Sequence, residues 1–181
     1  VRLAGQLQSP KLVSTLANIF FDSGPALRRE AGLALVNIRN REACKVLVAA
    51  LARDTDELSP IAAECLGALA DDYATRPLLD ALERATRQNR LRLAVIMMDA
   101  LGQLGGQQQE VARALGQLFE GSGQGDPEQI RELKFAALDL LGRYDGNEAQ
   151  ALLMAATTDA DPAVCRRSHE VMNRRDRART G

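Results

Sequence analysis

The sequence predicts an all-α chain, a solenoid of about five antiparallel helix pairs, and two interlocked periods predict it. A leucine-glycine landmark recurs at Leu66-Gly67, Leu101-Gly102 and Leu141-Gly142, with weaker copies at Ala4-Gly5, Leu35-Val36 and Met172-Asn173; the intervals are 31, 31, 35, 40 and 31 residues. A second apolar landmark, at Leu16, Leu47, Leu78, Leu115 and Leu153, follows the first five at 12, 12, 12, 14 and 12 residues. Self-similarity of this length marks stacked supersecondary units. Composition agrees: Trp is absent and aromatics are only 3%, while Ala and Leu dominate, as suits helices that approach closely.

The first helices come from reading around the first landmark. Leu58 to Leu69, Leu93 to Leu104 and Leu133 to Tyr144 superimpose without gaps; Leu27 to Ile38 is a fourth copy, and the stretch from Val164 is a degenerate fifth. Apolar or small residues hold the first, fifth, eighth, ninth and usually twelfth places, one face of a 3.6-residue helix. The second helices centre on the second landmark, with apolar residues about a turn away, such as Leu12 and Phe20, or Val111 and Phe119. Twelve residues between landmarks leave room only for a tight turn.

Helix starts are marked by Ser9-Pro10, Asp126-Pro127 and Asp161-Pro162, a short polar cap followed by Pro at the first helical position. Before the third pair either Ser59-Pro60 plays this part or Asp56 caps and Pro60 falls in the first turn. The 35-residue interval carries its extra residues in 84–90, which lengthen two helices. The 40-residue interval enlarges the Gly105-Gly106 turn and adds the glycine-rich stretch 121–126, read as a mobile loop. Residue 1 falls in mid-helix, since Leu3 to Leu7 aligns with Ala100 to Leu104. A solenoid needs a polar cap, so the expectation is one solenoid over 1–173, a fragment of a longer array, followed by a basic tail over 174–181.

These first-helix copies resemble the short bacterial, PBS-lyase-like type of HEAT repeat, whose first helix reads roughly V-R-x-x-A-A-x-A-L-G-x-L. The resemblance covers nearly the whole chain and implies a right-handed α-α superhelix whose second helices line a concave binding surface. The Arg of the second place survives only as Arg28 and Lys134, being Ser59, Ala94 and Cys165 elsewhere. An electrostatic ladder along that column is therefore not expected.

Little in the chain suggests chemistry. No run approaches the ~18–20 uncharged apolar residues of a membrane span, and no segment resembles a signal peptide. Cys44, Cys65 and Cys165 show no CxxC pairing, which argues against a disulfide framework or zinc site and suggests a reducing, cytoplasmic setting. Cys44 and Cys65 read as core residues; Cys165 stands beside Arg166 and Arg167, which could activate a thiol, but reads as a surface thiol. His169, the only histidine, has no Ser, Asp or second ligand at helical spacing. Gly121-x-Gly123-x-Gly125 lacks the Lys-Ser/Thr of a phosphate loop and follows a helix rather than a strand. No catalytic residue, cofactor or metal is expected.

Function is sought in the columns that point away from the core. Two places before a buried centre a residue is rotated by about 200° and faces out; in the second helices this column reads Ser14, Lys45, Arg76, Arg113, Ala151. Five before the centre it reads Lys11, Glu42, Tyr73, Glu110, Glu148. In the first helices the outward column reads Leu33, Glu64, Asp99, Asp139, Glu170, an acidic stripe. The expectation is a non-enzymatic scaffold that receives an acidic or mixed-charge segment of another protein around Lys45, Arg76, Arg113, Tyr73, Glu42 and Glu110. The plain alternative is a solvated surface of mixed sign. Two other classes stay in view: a non-catalytic or regulatory subunit of a HEAT-type lyase-like enzyme, and a nucleic-acid-binding module using the Arg-rich end. Residues 162–181 carry a local charge of +4 (six Arg against Glu170 and Asp176), yet the net charge is −1 and the pI about 5.9. A duplex-tracking face is ordinarily strongly basic, so nucleic acid is not the expected partner.

Overall fold

Apolar spacing produces the helices, and polar or left-handed residues end them. A computed structural model describes residues 12–121 and 126–180, and among these the regular elements are all helical. In order they are α1 (Val13–Asp22), α2 (Pro25–Ile38), α3 (Arg41–Ala52), α4 (Ser59–Leu69), a 3-10 turn (Asp72–Ala74), α5 (Thr75–Arg87), α6 (Leu91–Leu104), α7 (Gln108–Gly121), α8 (Pro127–Gly142), α9 (Asn147–Ala156) and α10 (Pro162–Thr180). The landmark at Ala4-Gly5, the Ser9-Pro10 start and the 122–125 part of the glycine-rich stretch lie outside the described residues.

The helices form two layers, as a repeat solenoid requires. First helices α2, α4, α6, α8 and α10 stack in chain order, and second helices α1, α3, α5, α7 and α9 stack likewise. Each second helix also packs on the first helix of the following pair, α1 on α2 through α9 on α10. The first landmarks Leu35, Leu66, Leu101 and Leu141 and the second landmarks Leu47, Leu78, Leu115 and Leu153 are wholly buried and belong to one continuous core. Each pair shares its core with both neighbours, which makes the array quasi-one-dimensional.

The glycine of the landmark has a steric cause. A Cβ on Gly67 would lie 2.9 Å from the Ala100 Cα, one on Gly102 3.1 Å from Leu140 Cδ1, and one on Gly142 2.5 Å from Val171 Cγ1. Ala100, Leu140 and Val171 each stand one place before the next landmark. The missing side chain therefore lets successive first helices come together at the same register from α4 to α10.

Turns between the layers show where sequence signals held. Arg39, Ala70 and Gly105, each four residues past a landmark, close α2, α4 and α6 in the left-handed conformation with φ of 50°, 53° and 68°. Only the third is glycine, so Arg39 and Ala70 hold a strained backbone, costing roughly 1–2 kcal/mol each. Asn40 Oδ1 accepts from the Ala43 amide at 2.8 Å to start α3, and Asp71 Oδ1 accepts from the Tyr73 amide at 2.9 Å. Asp161 caps α10 through the Ala163 amide at 2.8 Å, ahead of Pro162, as its spacing predicts. Asp126 precedes Pro127 but its carboxylate makes no capping bond, because the side chain stays in solvent. Ahead of α4 Pro60 does fall in the first turn, but neither Ser59 nor Asp56 caps: Thr55 Oγ1 accepts from the Leu58 amide at 3.2 Å, while Asp56 is paired with Arg90 at 2.7 Å. The extra residues at 84–90 do lengthen α5, which runs to Arg87 before α6 opens at Leu91. Arg174 to Thr180 continue α10 rather than leaving it as a tail.

The close approach makes a test. Gly67→Ala gains up to ~1 kcal/mol of helix propensity, yet it must push apart the α4 and α6 backbones, and overpacking of this kind costs ~1–3 kcal/mol. A fall in the denaturation midpoint is expected. Gly24→Ala, at the N-cap of α2 with nothing within 4 Å of the new Cβ, loses only a cap preference of up to ~1 kcal/mol and should lower the midpoint less; equal effects from both would remove the steric account.

Candidate protein-interaction surface

The second helices present their outward columns as the helical rotation dictates. Lys45 on α3, Arg76 on α5 and Arg113 on α7 are all exposed, as are Ser14 and Ala151 at the same place on α1 and α9. Glu42 and Tyr73 are exposed, whereas Glu110 and Glu148 are half-buried. Among the described residues Tyr73 is one of four large hydrophobic residues left in solvent, with 41% of its surface exposed, along with Leu27, Leu33 and Met154. Lys11 lies outside the described residues.

The two columns are bonded to one another across the repeats. Arg76 Nη1 donates to Glu110 Oε1 at 2.5 Å and its Nε faces Asp80 at 3.3 Å. Arg113 Nε donates to Glu148 at 2.9 Å, and Gln109 Nε2 donates to the same carboxylate oxygen at 3.2 Å. In both cases the cation column of one pair meets the acid column of the next, 34 and 35 residues away. One pair earlier the acid column holds Tyr73 instead, and Lys45 turns to Glu42 on its own helix at 2.8 Å. Arg41 takes up the vacated partner: its guanidinium stands 4.3 Å from the Tyr73 ring centroid and 3.9 Å from Asp71. Hydrogen bonding to Glu42 raises the Lys45 pKa, and that to Glu110 raises the Arg76 pKa. The expected basic ridge is therefore a row of compensated pairs with one exposed aromatic at its start.

Spacing revealed both columns but not their pairing, and it passed over Arg41 and Asp80. The signal for Arg41 was available, because it directly follows the Asn40 cap. The separation of Arg76 from Glu110 and of Arg113 from Glu148 is one repeat, which is where the other signal lay.

On the first-helix layer the acidic stripe is also partly compensated. Glu64 faces Arg29 at 3.9 Å, while Asp139 and Glu170 share Arg167 at 2.5 and 3.4 Å. The second-place column makes two separate clamps rather than a ladder, in accord with the sequence. Arg28 is buried, its Nε donating to the Phe20 carbonyl at 3.1 Å and its Nη1 to Glu57 at 2.9 Å. Lys134 donates to Asp159 at 2.6 Å. Each ties a first helix to the connection leading into the next pair.

The remaining polar candidates are absorbed locally. The His169 ring Nδ1 lies 2.9 Å from the Cys165 carbonyl, and the Cys165 thiol donates to the Asp159 carbonyl at 3.1 Å. Cys44 and Cys65 are buried, as their columns predict. Among the described residues no group of His, Cys, Asp and Glu is placed to hold a metal, and no helix is long and apolar enough to cross a membrane. Of the C-terminal arginines, Arg167 is paired with Asp139 and Arg175 is buried near Asp145, while Arg166 and Arg174 are exposed.

Against this geometry, residues 1–59 match the family model of HEAT repeats. The matched span holds the landmarks Ala4-Gly5 and Leu35-Val36, and the same unit recurs through the rest of the chain. No curated protein matches the sequence significantly.

Burial of the thiols predicts an alkaline limb of stability. Desolvation pushes Cys65 up to about 12 and Cys44 up to about 11, and lifts the Tyr144 hydroxyl to about 12. The unfolded chain ionises at its ordinary values of 9.0 for thiols and 10.0 for tyrosine, so above those values it loses protons that the folded chain keeps. Stability is then present below pH ~9 and is lost as pH rises toward 11–12. The urea midpoint should fall between pH 8.5 and pH 10.5 (about two units), and less steeply in Cys65→Ala, whose place other copies fill with Ala34 and Ala100. A midpoint flat across that range would contradict the burial argument.

Proposed function

We propose, of a chain that is an array of HEAT repeats, that it is a non-enzymatic scaffold receiving a mixed-charge segment of another protein on its second-helix surface. HEAT repeats commonly serve as protein-interaction scaffolds. The contact region is Lys45, Arg76, Arg113, Tyr73, Glu42 and Glu110, with Arg41 added by its stacking on Tyr73. One observation carries the reading: exposed cations and half-buried carboxylates recur along this face at one-repeat spacing, headed by an exposed tyrosine.

The physics of such a face favours an exchange of partners. Exposed ion pairs contribute little to folding, so an incoming carboxylate can replace Glu110 or Glu148 at an arginine without loss of fold, and an incoming cation can take the released carboxylate. A uniformly acidic segment would leave the displaced carboxylates facing it. A segment of alternating sign satisfies both columns, with Tyr73 supplying an apolar anchor of the kind that concentrates binding energy. By the resemblance, this layer is the concave one.

The test is charge reversal of Arg76 and Arg113 together. A wild-type column should retain a partner that salt elutes, and R76E/R113E should retain none of it while its circular dichroism is unchanged. Undiminished retention of the same partner by the folded variant would sink the proposal.

A further inference from the structure

Between the last two described first helices lies a cavity whose chemistry differs from the rest of the array. It has a volume of about 390 Å3 and lies between the C-terminal end of α8 and the second half of α10, lined by Asp139, Arg143, Asp145, Arg174 and Arg175 with Gly142 and Val171. Arg175 occupies the twelfth place of the repeat, held in earlier copies by Ile38, Leu69, Leu104 and Tyr144. An arginine has thus replaced an apolar residue at a core place, and it has kept the burial: its side chain is 7% exposed.

That guanidinium is poorly satisfied by the protein. Its Nη2 stands 3.8 Å from Asp145, a carboxylate whose side chain is 83% exposed, and its Nε and Nη1 are buried without a hydrogen-bond partner. Asp139 holds Arg167 through Oδ2, and its Oδ1 is buried without a hydrogen-bond partner. Removing a guanidinium from water without acceptors is costly. Arg174, which is exposed, adds a second cation to the same cavity, whereas the Arg143 guanidinium leans away toward Gly102 of α6.

We propose that the α8–α10 cavity binds a small organic anion, whose carboxylate or phosphate oxygens accept from Arg175 while Arg174 stands at the mouth. Arginine suits this task because its planar fork pairs with two oxygens of one oxyanion. The cavity falls within the usual size of small-molecule sites, ~300–1,000 Å3. Asp145, already largely in solvent and 3.8 Å from Arg175, can yield that contact to the ligand. The site lies against the first-helix layer, so it stands or falls separately from partner binding on the second helices.

Thermal unfolding of the full chain tests it, with inorganic phosphate and citrate as probes against sodium chloride of equal ionic strength. Both anions also stabilise proteins by exclusion, so the reading is the difference between wild type and variant. With a probe several-fold above its Kd the wild-type Tm should rise ~2–4 °C beyond that of the variants. The variants are Arg175→Leu, which restores the apolar twelfth place, and Arg174→Ala, whose exposed position leaves folding intact should the first fail to fold. A specific rise with phosphate alone assigns a phosphorylated ligand, and one with citrate alone a carboxylate. The proposal is overturned if neither probe raises wild type above both variants, the cavity then holding only water or an adventitious ion.

Discussion

Everything in this chain depends on how closely one first helix can lie against the next. The approach is set where the landmark glycine leaves a space that Ala100, Leu140 or Val171 of the following helix enters. At that separation the landmark leucines on either side can close over a shared core, and the second helices are carried along as a second layer bridging successive pairs. A larger residue at the glycine would separate the layers and open the core beneath. The same constraint explains why the motif recurs while the rest of each repeat varies.

Charge is arranged within the limits set by that stacking. Because pairs repeat at a fixed spacing, a cation on one second helix meets a carboxylate on the next, and Arg76–Glu110 and Arg113–Glu148 follow from a single geometric rule. Arg28 and Lys134 apply a related rule at the connections, where a buried or half-buried cation ties down the segment that leads into the following pair. Two kinds of cross-repeat contact result: exposed ones that can be exchanged at small cost, and inner ones that cannot. Recognition is assigned to the first kind.

The helices and their faces were legible in the sequence because both are periodic. Leu66 and Leu78 could be placed on one core from their spacing alone, and Lys45, Arg76 and Arg113 on one outward column. What periodicity could not resolve were contacts made between repeats by long side chains. Lys45 and Arg76 look equivalent in the column, yet the first bonds within its helix because Tyr73 stands where Glu110 stands one repeat on. Local competition was hidden as well: Asp56 is a good cap by type, but Arg90, more than 30 residues away, holds it and leaves Thr55 to accept the Leu58 amide. The left-handed Arg39 and Ala70 carry no glycine signal, and the burial of Arg175 runs against its residue type. Each miss is a case of tertiary context overruling local preference.

The central claim is that stability passes from neighbour to neighbour through the glycine seams rather than residing in a single core. Hydrogen exchange followed by mass spectrometry on Gly102→Val addresses it directly, since the new side chain would enter the space taken by Leu140 and Arg143. The account predicts loss of amide protection concentrated in α6 and α8 and their second helices, with α2 and α3 exchanging as in the wild type. Uniform loss of protection from α1 to α10 would contradict it.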